Sequence, residues 1–291
     1  MQPEPDRFYD GGVDAGRGRT GEPPDPGTPP RVVLRRLEEG VDLFAMERRI
    51  AYRDRDFGEL IVPTDTDTFE TDLTSVPWLF TWLVPKIGAY LPAALLHDGL
   101  VFAPGTPATY VSTDGHTVLR ADANRVLRAA MLDTGTGLIR RWLVWSAVTA
   151  ATMLSGAGTG WSRAEVWRRR GAVALTVVAV VVLGTLATLD LFDIGINLPW
   201  MGDASFGSEI VGGLAGAVVI PLVLALAWGR FVVAGAITGV ALAVLLHVTA
   251  LLLLLTGLYQ ALEWLARASV RLLALLGIVV VVAAIAVLVL R

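Results

Sequence analysis

Four long apolar stretches in the C-terminal part most constrain how this 291-residue chain can fold. They cover residues 172–189, 210–228, 231–255 and 270–290. Each is close to or above the ~18 apolar residues that a membrane-spanning helix needs. Residues 171–291 carry only nine charged side chains, although the whole chain has 24 basic and 27 acidic residues. The sequence therefore predicts an all-α transmembrane bundle of four helices behind a water-soluble part.

The number of spans depends on the junction between the second and third stretches. Only Gly229 and Arg230 separate them, which is a very short connection for a helical hairpin. The count of spans around this junction therefore stays open, whereas the membrane assignment itself rests on all four stretches.

Basic residues predict the orientation of the membrane part. Arg163 and residues 168–170 directly precede the first stretch, whereas residues 190–209 contain four acidic residues and neither Lys nor Arg. Basic residues next to membrane helices favour the cytoplasmic side. The N-terminus also lacks the basic start and apolar core of a secretory signal. We therefore expect the soluble part and the C-terminus, at Arg291, to be cytoplasmic.

Two features inside the apolar stretches are candidates for a specific role. His247 is an ionisable side chain in the third stretch, and such a residue is a functional candidate in a membrane. A hydrogen bond to a threonine of a neighbouring helix is the simpler alternative. The glycine pairs 212/216 and 235/239 have GxxxG spacing, which lets helices approach closely within one chain or between copies. The predicted partners are thus the lipid bilayer and, through these helices, a second copy of the chain.

The composition of the remaining residues changes twice, which predicts three further regions. Residues 1–30 are rich in proline and glycine and are predicted to form a disordered tail. Residues 31–158 contain short runs of Val, Ile, Leu and Tyr broken by turn residues, followed by helical patterns. They predict a soluble α+β domain, in which about three helices pack on a small antiparallel sheet. Residues 159–171 are predicted to be a basic linker to the membrane domain at 172–291.

Composition also excludes several functional classes. The chain has no cysteine, which rules out disulfide scaffolds, thiolate metal sites and a cysteine nucleophile. Its net charge of -3 gives no electrostatic reason to expect nucleic acid as a partner.

Polar side chains suited to chemistry gather between residues 71 and 125. They are Thr71, Asp72 and Ser75 ahead of a proline, the adjacent pair His97 and Asp98 on a predicted helix, and Asp122 and Arg125 on the next helix. A histidine oriented by a carboxylate is the usual general base. The predicted catalytic residues are therefore His97, Asp98, Asp72 and Asp122, and the predicted binding residues are Thr71, Ser75 and Arg125.

The same carboxylates allow two further interpretations. A hard divalent cation such as Ca²⁺ or Mg²⁺ binds through oxygen, so Asp98 and Asp72 are the candidate ligands of such a cofactor. Buried polar groups must also be paired. The whole cluster could therefore be a hydrogen-bond network that locks the sheet to the helices, without any catalytic role.

Four ordered motifs occur in the soluble domain: Val62-Pro63, residues 71–77 (TDLTSVP), residues 93–98 (AALLHD) and Ala121-Asp122 ahead of an arginine-rich helix. Together they resemble domain of unknown function family 1353 (DUF1353), a small bacterial and phage domain. The likeness covers about residues 31–155. It implies the fold and a polar site around the His/Asp pair, and it implies no activity because the family's function is unknown.

Two functional hypotheses follow for a multi-pass protein of the bacterial inner membrane with a cytoplasmic domain. The first is a His/Asp-dependent hydrolase that acts on lipid or cell-envelope substrates. The second is a non-enzymatic membrane- or phage-associated module that binds a partner, with the His/Asp cluster as a buried stabilising network.

Overall fold

The computed structural model describes residues 7–16, 20–37, 43–73, 87–103, 105–195, 197–201 and 205–268. The chain divides into two compact units, Met1–Val244 and Leu245–Arg291. All described strands belong to the first unit, and the second contains most of the last described helix.

Two small antiparallel sheets form the first part of the fold. One has four strands in the order β1-β4-β5-β7, and the other has three in the order β2-β3-β6. The strands are β1 (Phe8–Asp10), β2 (Leu34–Arg36), β3 (Phe44–Met46), β4 (Ile50–Asp54), β5 (Gly58–Val62), β6 (Glu70–Thr71) and β7 (Val111–Ser112). β4 and β5 form the longest ladder, with Ile50 opposite Val62. The predicted α+β class with antiparallel pairing is thus confirmed.

Three helices pack against these sheets and against one another. They are α1 (Leu91–Leu100), α2 (Arg120–Asp133) and α3 (Leu138–Ser155). α1 contacts β4 and β5, α2 packs on α1, and α3 packs on α2. Their shared core includes Tyr52, Leu95 and Met131, all of which are fully buried.

Gly99 lets α1 lie directly on the sheet. A Cβ atom at this position would collide with both methyl groups of Val62 on β5. The residue that follows the His/Asp pair therefore has to be small, and this close approach fixes the last turn of α1 against the sheet.

The prediction of a disordered tail over the first 30 residues is wrong for the part of it that the structure describes. Phe8–Asp10 pairs with β4, and Tyr9 is only 2% exposed. The buried carboxylate of Asp10 accepts a hydrogen bond from Arg48 at 2.7 Å. The surrounding prolines and glycines dilute this short apolar run in the composition, and its partner strand lies about 40 residues further along the chain.

The predicted basic linker is mostly helical. The helix α4 runs from Arg163 to Leu191. It begins with a capping box, in which the side chains of Ser162 and Glu165 each bond the backbone N–H of the other residue. The arginines ahead of the apolar stretch therefore form the first turns of a long helix instead of a flexible connection.

The prediction of four separate spans needs correction. The described residues contain two helical segments that are long and apolar enough to cross a membrane, Arg163–Leu191 and Gly207–Arg267. The second segment includes both the second and the third predicted spans. The fourth predicted span, at 270–290, lies outside the described residues.

The second segment has a kink and no loop. In it α5 (Phe206–Leu224) continues through a 3-10 turn (Ala225–Phe231) into α6 (Val232–Ala268). Gly229 has non-helical backbone angles, with φ 60 and ψ -123. Because glycine has no Cβ, one residue can redirect the chain at this point. α6 also extends to Ala268, beyond the end of the third apolar stretch at residue 255.

Both segments leave most of their apolar surface exposed. In the most apolar 18-residue stretch of each segment, only 22% of the residues are buried in the first segment and 17% in the second. Val178, Leu214 and Leu226 are 59%, 54% and 70% exposed. The core helix of a soluble protein would bury this surface, so length, composition and exposure all fit helices that can cross a membrane.

The GxxxG glycines make close contacts within one copy of the chain. A Cβ atom on any of the four would come closer than 3.0 Å to a heavy atom of a neighbour. These contacts pair Gly212 and Gly216 with Trp200, Gly235 with Trp228, and Gly239 with Pro221 and Thr176. The small residues therefore serve packing inside the first unit, and the homo-oligomer through these helices stays a prediction.

Candidate functional site

His97 and Asp98 lie in the last turns of α1, and their side chains reach different neighbours. Consecutive residues of a helix point about 100° apart. His97 contacts Asn124 on α2, whereas Asp98 contacts Thr71 on β6. Both residues are half-buried. The pair therefore makes two separate contacts and does not form a histidine–carboxylate unit.

The His97 contact continues into the interior of the helical layer. Its Nε2 lies 2.9 Å from Oδ1 of Asn124. The Nδ2 of Asn124 donates to the hydroxyl of Thr152 at 2.9 Å and to the carbonyl oxygen of Val148 at 3.4 Å, both on α3. Asn124 is only 1% exposed. One buried amide thus connects α1, α2 and α3.

These partners determine where the His97 proton lies. The carbonyl of Val148 can only accept, so the amide nitrogen of Asn124 has to face α3. The amide oxygen then faces His97. Because an oxygen of this kind only accepts, the imidazole Nε2 carries the hydrogen and donates it. The neutral ring therefore has its unprotonated nitrogen at Nδ1.

Burial keeps His97 uncharged. It lowers the pKa of the imidazole to about 4, and the nearby Arg120 charge contributes in the same direction, although the Asn124 contact opposes both. At neutral pH the side chain is therefore a hydrogen-bond donor to an amide. Among the described residues, no carboxylate bonds His97 to stabilise an imidazolium ion during general-base catalysis.

Asp98 is held by the hydroxyl of Thr71, which is itself fixed by the turn that follows β6. Its Oδ2 accepts a hydrogen bond from Thr71 Oγ1 at 2.6 Å, and the same hydroxyl accepts from the backbone N–H of Leu73 at 2.9 Å. Leu73 has φ 71, a backbone conformation that is uncommon for leucine. Thr71 thus joins the strained turn after β6 to the end of α1.

The acidity of Asp98 is strongly reduced. Burial raises the pKa of this carboxyl to about 7, the Thr71 hydrogen bond lowers it, and the charge of Asp72 raises it again. Near neutral pH a large fraction of Asp98 is therefore a neutral acid beside a second carboxylate. Such a group can donate a proton.

Asp122, which the sequence placed with the catalytic residues, makes no hydrogen bond or ion pair with His97 in the described part of the chain. It lies half-buried on α2, two residues before Asn124. Two residues correspond to about 200° around a helix. Asn124 therefore occupies the face that contacts α1, and Asp122 points elsewhere.

Arg125 anchors α2 to the sheet. Its guanidinium lies 2.8 Å from the buried carboxylate of Asp54 and 3.0 Å from Asp56, and it stacks over the ring of Phe57. These partners come from the end of β4 and the turn after it. The contacts account for Arg125 as a structural residue without a ligand.

The described residues contain no group of three or more His, Cys, Asp or Glu side chains that could hold a metal ion. Asp98 and Asp72 supply two carboxylates, and protonation of Asp98 near neutral pH weakens it as a ligand of a hard cation. Ser75, the other predicted binding residue, lies outside the described residues.

His247 belongs to the second unit, where it lies on α6. Its side chain is exposed, and its chain neighbours are Leu246 and Val248. Transfer of protons or ions through a membrane needs several polar groups in register. A functional role for His247 therefore stays a prediction.

A comparison with protein families identifies the domain that contains this site. Residues 44–148 match the family described as Protein of unknown function (DUF1353). This stretch is a DUF1353 domain. It runs from β3 into α3 and includes Thr71, His97 and Asn124, so both polar contacts start within it. No curated protein and no solved structure matches the chain.

Asn124 is the site residue of the DUF1353 domain that sequence reasoning missed. It lies among Ala123, Val126 and Leu127 on the buried face of α2. A polar side chain in an apolar helical stripe needs a buried partner, and this signal was available in the sequence. The motif Ala121-Asp122 drew attention to the neighbouring carboxylate instead.

Proposed function

We propose that the chain is a membrane-anchored protein whose DUF1353 domain is a non-enzymatic binding or structural module, in which the His/Asp pair stabilises the fold. The observation that carries this proposal is the contact between His97 and the neutral amide of Asn124. A general base works best with a pKa near the operating pH. The pKa of His97 is about 4, and its Nε2–H is engaged in the hydrogen bond to Asn124. The side chain is therefore better suited to holding the domain together.

The two contacts of the pair join separate layers, which supports the structural role. His97, Asn124 and Thr152 link α1 to α2 and α3. Asp98 and Thr71 link α1 to β6. A buried donor left without its partner costs about 1–3 kcal/mol, so the loss of either contact would loosen the domain.

A double-mutant cycle tests the stabilising role of the His97 contact. We expect His97→Ala and Asn124→Ala each to lower the free energy of unfolding by about 1–3 kcal/mol. The double variant should lose less than the sum, because the two residues share one contact. Unfolding of the full chain in detergent micelles, followed by tryptophan fluorescence, measures all three variants.

Asp122→Ala is the matched control on the same helix, and its effect should stay within about 0.5 kcal/mol. If His97→Ala and Asn124→Ala are as stable as this control, the buried contact does not stabilise the domain and the proposal fails.

The exposed apolar segments support the anchoring part of the proposal. Basic residues of the first turns of α4 precede its apolar stretch, and the connection from α4 to α5 contains acidic residues. This charge pattern favours a cytoplasmic position for the DUF1353 domain. The inner membrane of a bacterium is the compartment that fits this arrangement.

A second candidate function rests on Asp98. The pKa of the Asp98 carboxyl, which is raised to about 7 by burial and by the nearby charge of Asp72, is the value expected of a general acid. It supports a hydrolase that uses Asp98 as the acid, with lipid or cell-envelope esters as substrates.

Asp98→Asn tests this candidate because the amide still accepts the Thr71 hydrogen bond but cannot donate an acidic proton. If the domain is a hydrolase of this kind, ester hydrolysis by the full chain should fall at least ~100-fold while the unfolding midpoint at pH 7 falls little. Equal hydrolysis by the variant and the wild type would exclude Asp98 as the acid.

A further inference from the structure

A second polar cluster lies outside the DUF1353 domain, in the first turns of α4. The side chain of Arg169 is only 9% exposed, and its Nε is buried without a hydrogen-bond partner. A buried cation is costly unless its charge and its hydrogen-bond donors are paired. Arg169 therefore has binding capacity that its described neighbours do not satisfy.

Glu165 pairs only weakly with Arg169. Its Oε1 lies 3.9 Å from Nη2 of Arg169, well beyond the ~2.8 Å of a charge-assisted hydrogen bond. The other oxygen, Oε2, accepts from the backbone N–H and the hydroxyl of Ser162. This carboxylate thus serves the start of the helix, and most of the positive charge of Arg169 stays uncompensated.

Arg230 shares an aromatic platform with Arg169. The Arg169 guanidinium lies 4.0 Å from the ring centre of Trp161 and 5.1 Å from that of Phe231. The Arg230 guanidinium lies 5.8 Å and 4.8 Å from the same two rings. Stacking covers the faces of the guanidinium groups and leaves their in-plane N–H donors available.

Two like charges that share one aromatic platform repel each other, and an anion bound between them would relieve this repulsion. The charges of Arg230 and of the exposed Arg168 lie close enough to act on Arg169. Bidentate guanidinium donors match the oxygen geometry of phosphate. A phosphate group also has enough oxygens to accept from two arginines at once.

The cluster lies where an anchored protein would meet lipid headgroups. Arg169 lies three residues before Ala172, where the apolar part of α4 begins, and Arg230 lies at the kink between α5 and α6. Trp161 and Phe231 pack against the small buried core that includes Ala172 and Trp228. Tryptophan and basic residues are enriched at this level of a membrane.

We propose that Arg169 and Arg230, backed by Trp161 and Phe231, form a binding site for the phosphate group of an anionic phospholipid on the cytoplasmic side of the membrane. This inference rests on the membrane anchoring proposed above. It adds a specific headgroup site to an anchor whose described helices expose most of their apolar surface.

Arg230→Gln is the variant that tests the site, because Arg230 is exposed and its loss should not disturb folding. Arg168→Gln is the matched control, with the same change in charge at an exposed position of the same cluster. The full chain in detergent is titrated with phosphatidylglycerol, with phosphatidylcholine and with inorganic phosphate, and the shift of the thermal unfolding midpoint reports binding.

We expect phosphatidylglycerol to raise the midpoint more than either other probe. Arg230→Gln should weaken its binding about tenfold, and Arg168→Gln less than about twofold. Equal effects of the two variants would overturn the site, because they would show only general charge attraction. Inorganic phosphate that stabilises as well as the lipid would overturn the lipid assignment.

Membrane fractionation of the same variants separates this inference from the proposed anchoring. If the wild-type chain stays in carbonate-washed membranes but shows no preference for phosphatidylglycerol, the headgroup site fails alone. If the wild-type chain is released by carbonate, the anchoring proposal fails and the headgroup site fails with it.

Discussion

At the level of single residues, His97 and Asp98 are neighbours whose pKa values move in opposite directions. Burial lowers the pKa of His97 from 6.5 to about 4 and raises that of Asp98 from 3.8 to about 7. Both shifts favour the uncharged form, because burial makes the charged form of each side chain more costly. The same burial therefore gives the two side chains opposite effects on stability as the pH changes.

Whether each group makes the free energy of unfolding rise or fall with pH depends on which state, folded or unfolded, binds more protons. Between about pH 4 and 6.5, His97 is protonated only when unfolded, so its contribution to the free energy of unfolding rises with pH. Between about pH 3.8 and 7, Asp98 is protonated only when folded, so its contribution falls as pH rises. The two slopes oppose each other over most of this range.

Asp98→Asn should remove the stability contribution of Asp98 that falls as pH rises. The amide oxygen of the new side chain can still accept the hydrogen bond from Thr71. We expect the stability of this variant relative to wild type to increase by about 2–4 kcal/mol between pH 4 and pH 7. Denaturant unfolding of both full chains in the same detergent at several pH values measures the difference. A difference that does not change with pH would contradict the raised pKa of Asp98.

At the level of secondary-structure elements, Gly229 determines how the second apolar segment is built. Its φ of 60 and ψ of -123 belong to a region of backbone space that side chains disfavour. No neighbour lies within 4 Å of a Cβ built at this position. A substitution there therefore reports on the backbone angle alone and not on crowding.

Gly229→Ala should lower the stability of the full chain by about 1–3 kcal/mol, seen as a lower thermal midpoint in detergent. Gly207→Ala is the control, because Gly207 lies in the first turn of α5 with equally open space. Alanine is the better helix former, so this control should be neutral or slightly more stable. If both variants behave alike, the kink does not depend on Gly229.

At the level of the whole molecule, the described residues contain two helical segments that are long and apolar enough to cross a membrane. The second apolar segment contains 61 residues, about three times the ~20 that one crossing needs. The kink at Gly229 would allow α5 and α6 to cross separately. If they do, we expect Arg169 and Arg230 to lie on the same face of the membrane.

Reporter fusions test this arrangement. We expect a fluorescent protein fused after Arg230 to be active in the cytoplasm, and alkaline phosphatase at the same point to be inactive. A fusion after Phe192, at the end of α4, should show the reverse pattern. Active phosphatase after Arg230 would show that the segments cross differently from this proposal.

Local sequence patterns were enough for several parts of this protein. The α+β class followed from short β-rich runs and helical periodicity, the DUF1353 resemblance from ordered motifs, and the long apolar helices from composition. Each of these signals is a short local pattern or an ordered series of short motifs, so it can be read without knowing the fold. The interaction of Thr71 and Asp98, 27 residues apart, was anticipated only as part of a general polar cluster.

The partners of individual side chains depended on contacts between distant elements. His97 bonds Asn124 and not Asp122 because rotation around α2 directs one residue toward α1 and the other away from it. β1 is ordered because its hydrogen-bond partners lie on β4. Burial, which sets the pKa values of His97 and Asp98, arises only when helices and sheets pack, since a linear pattern of residues does not contain the distance between them.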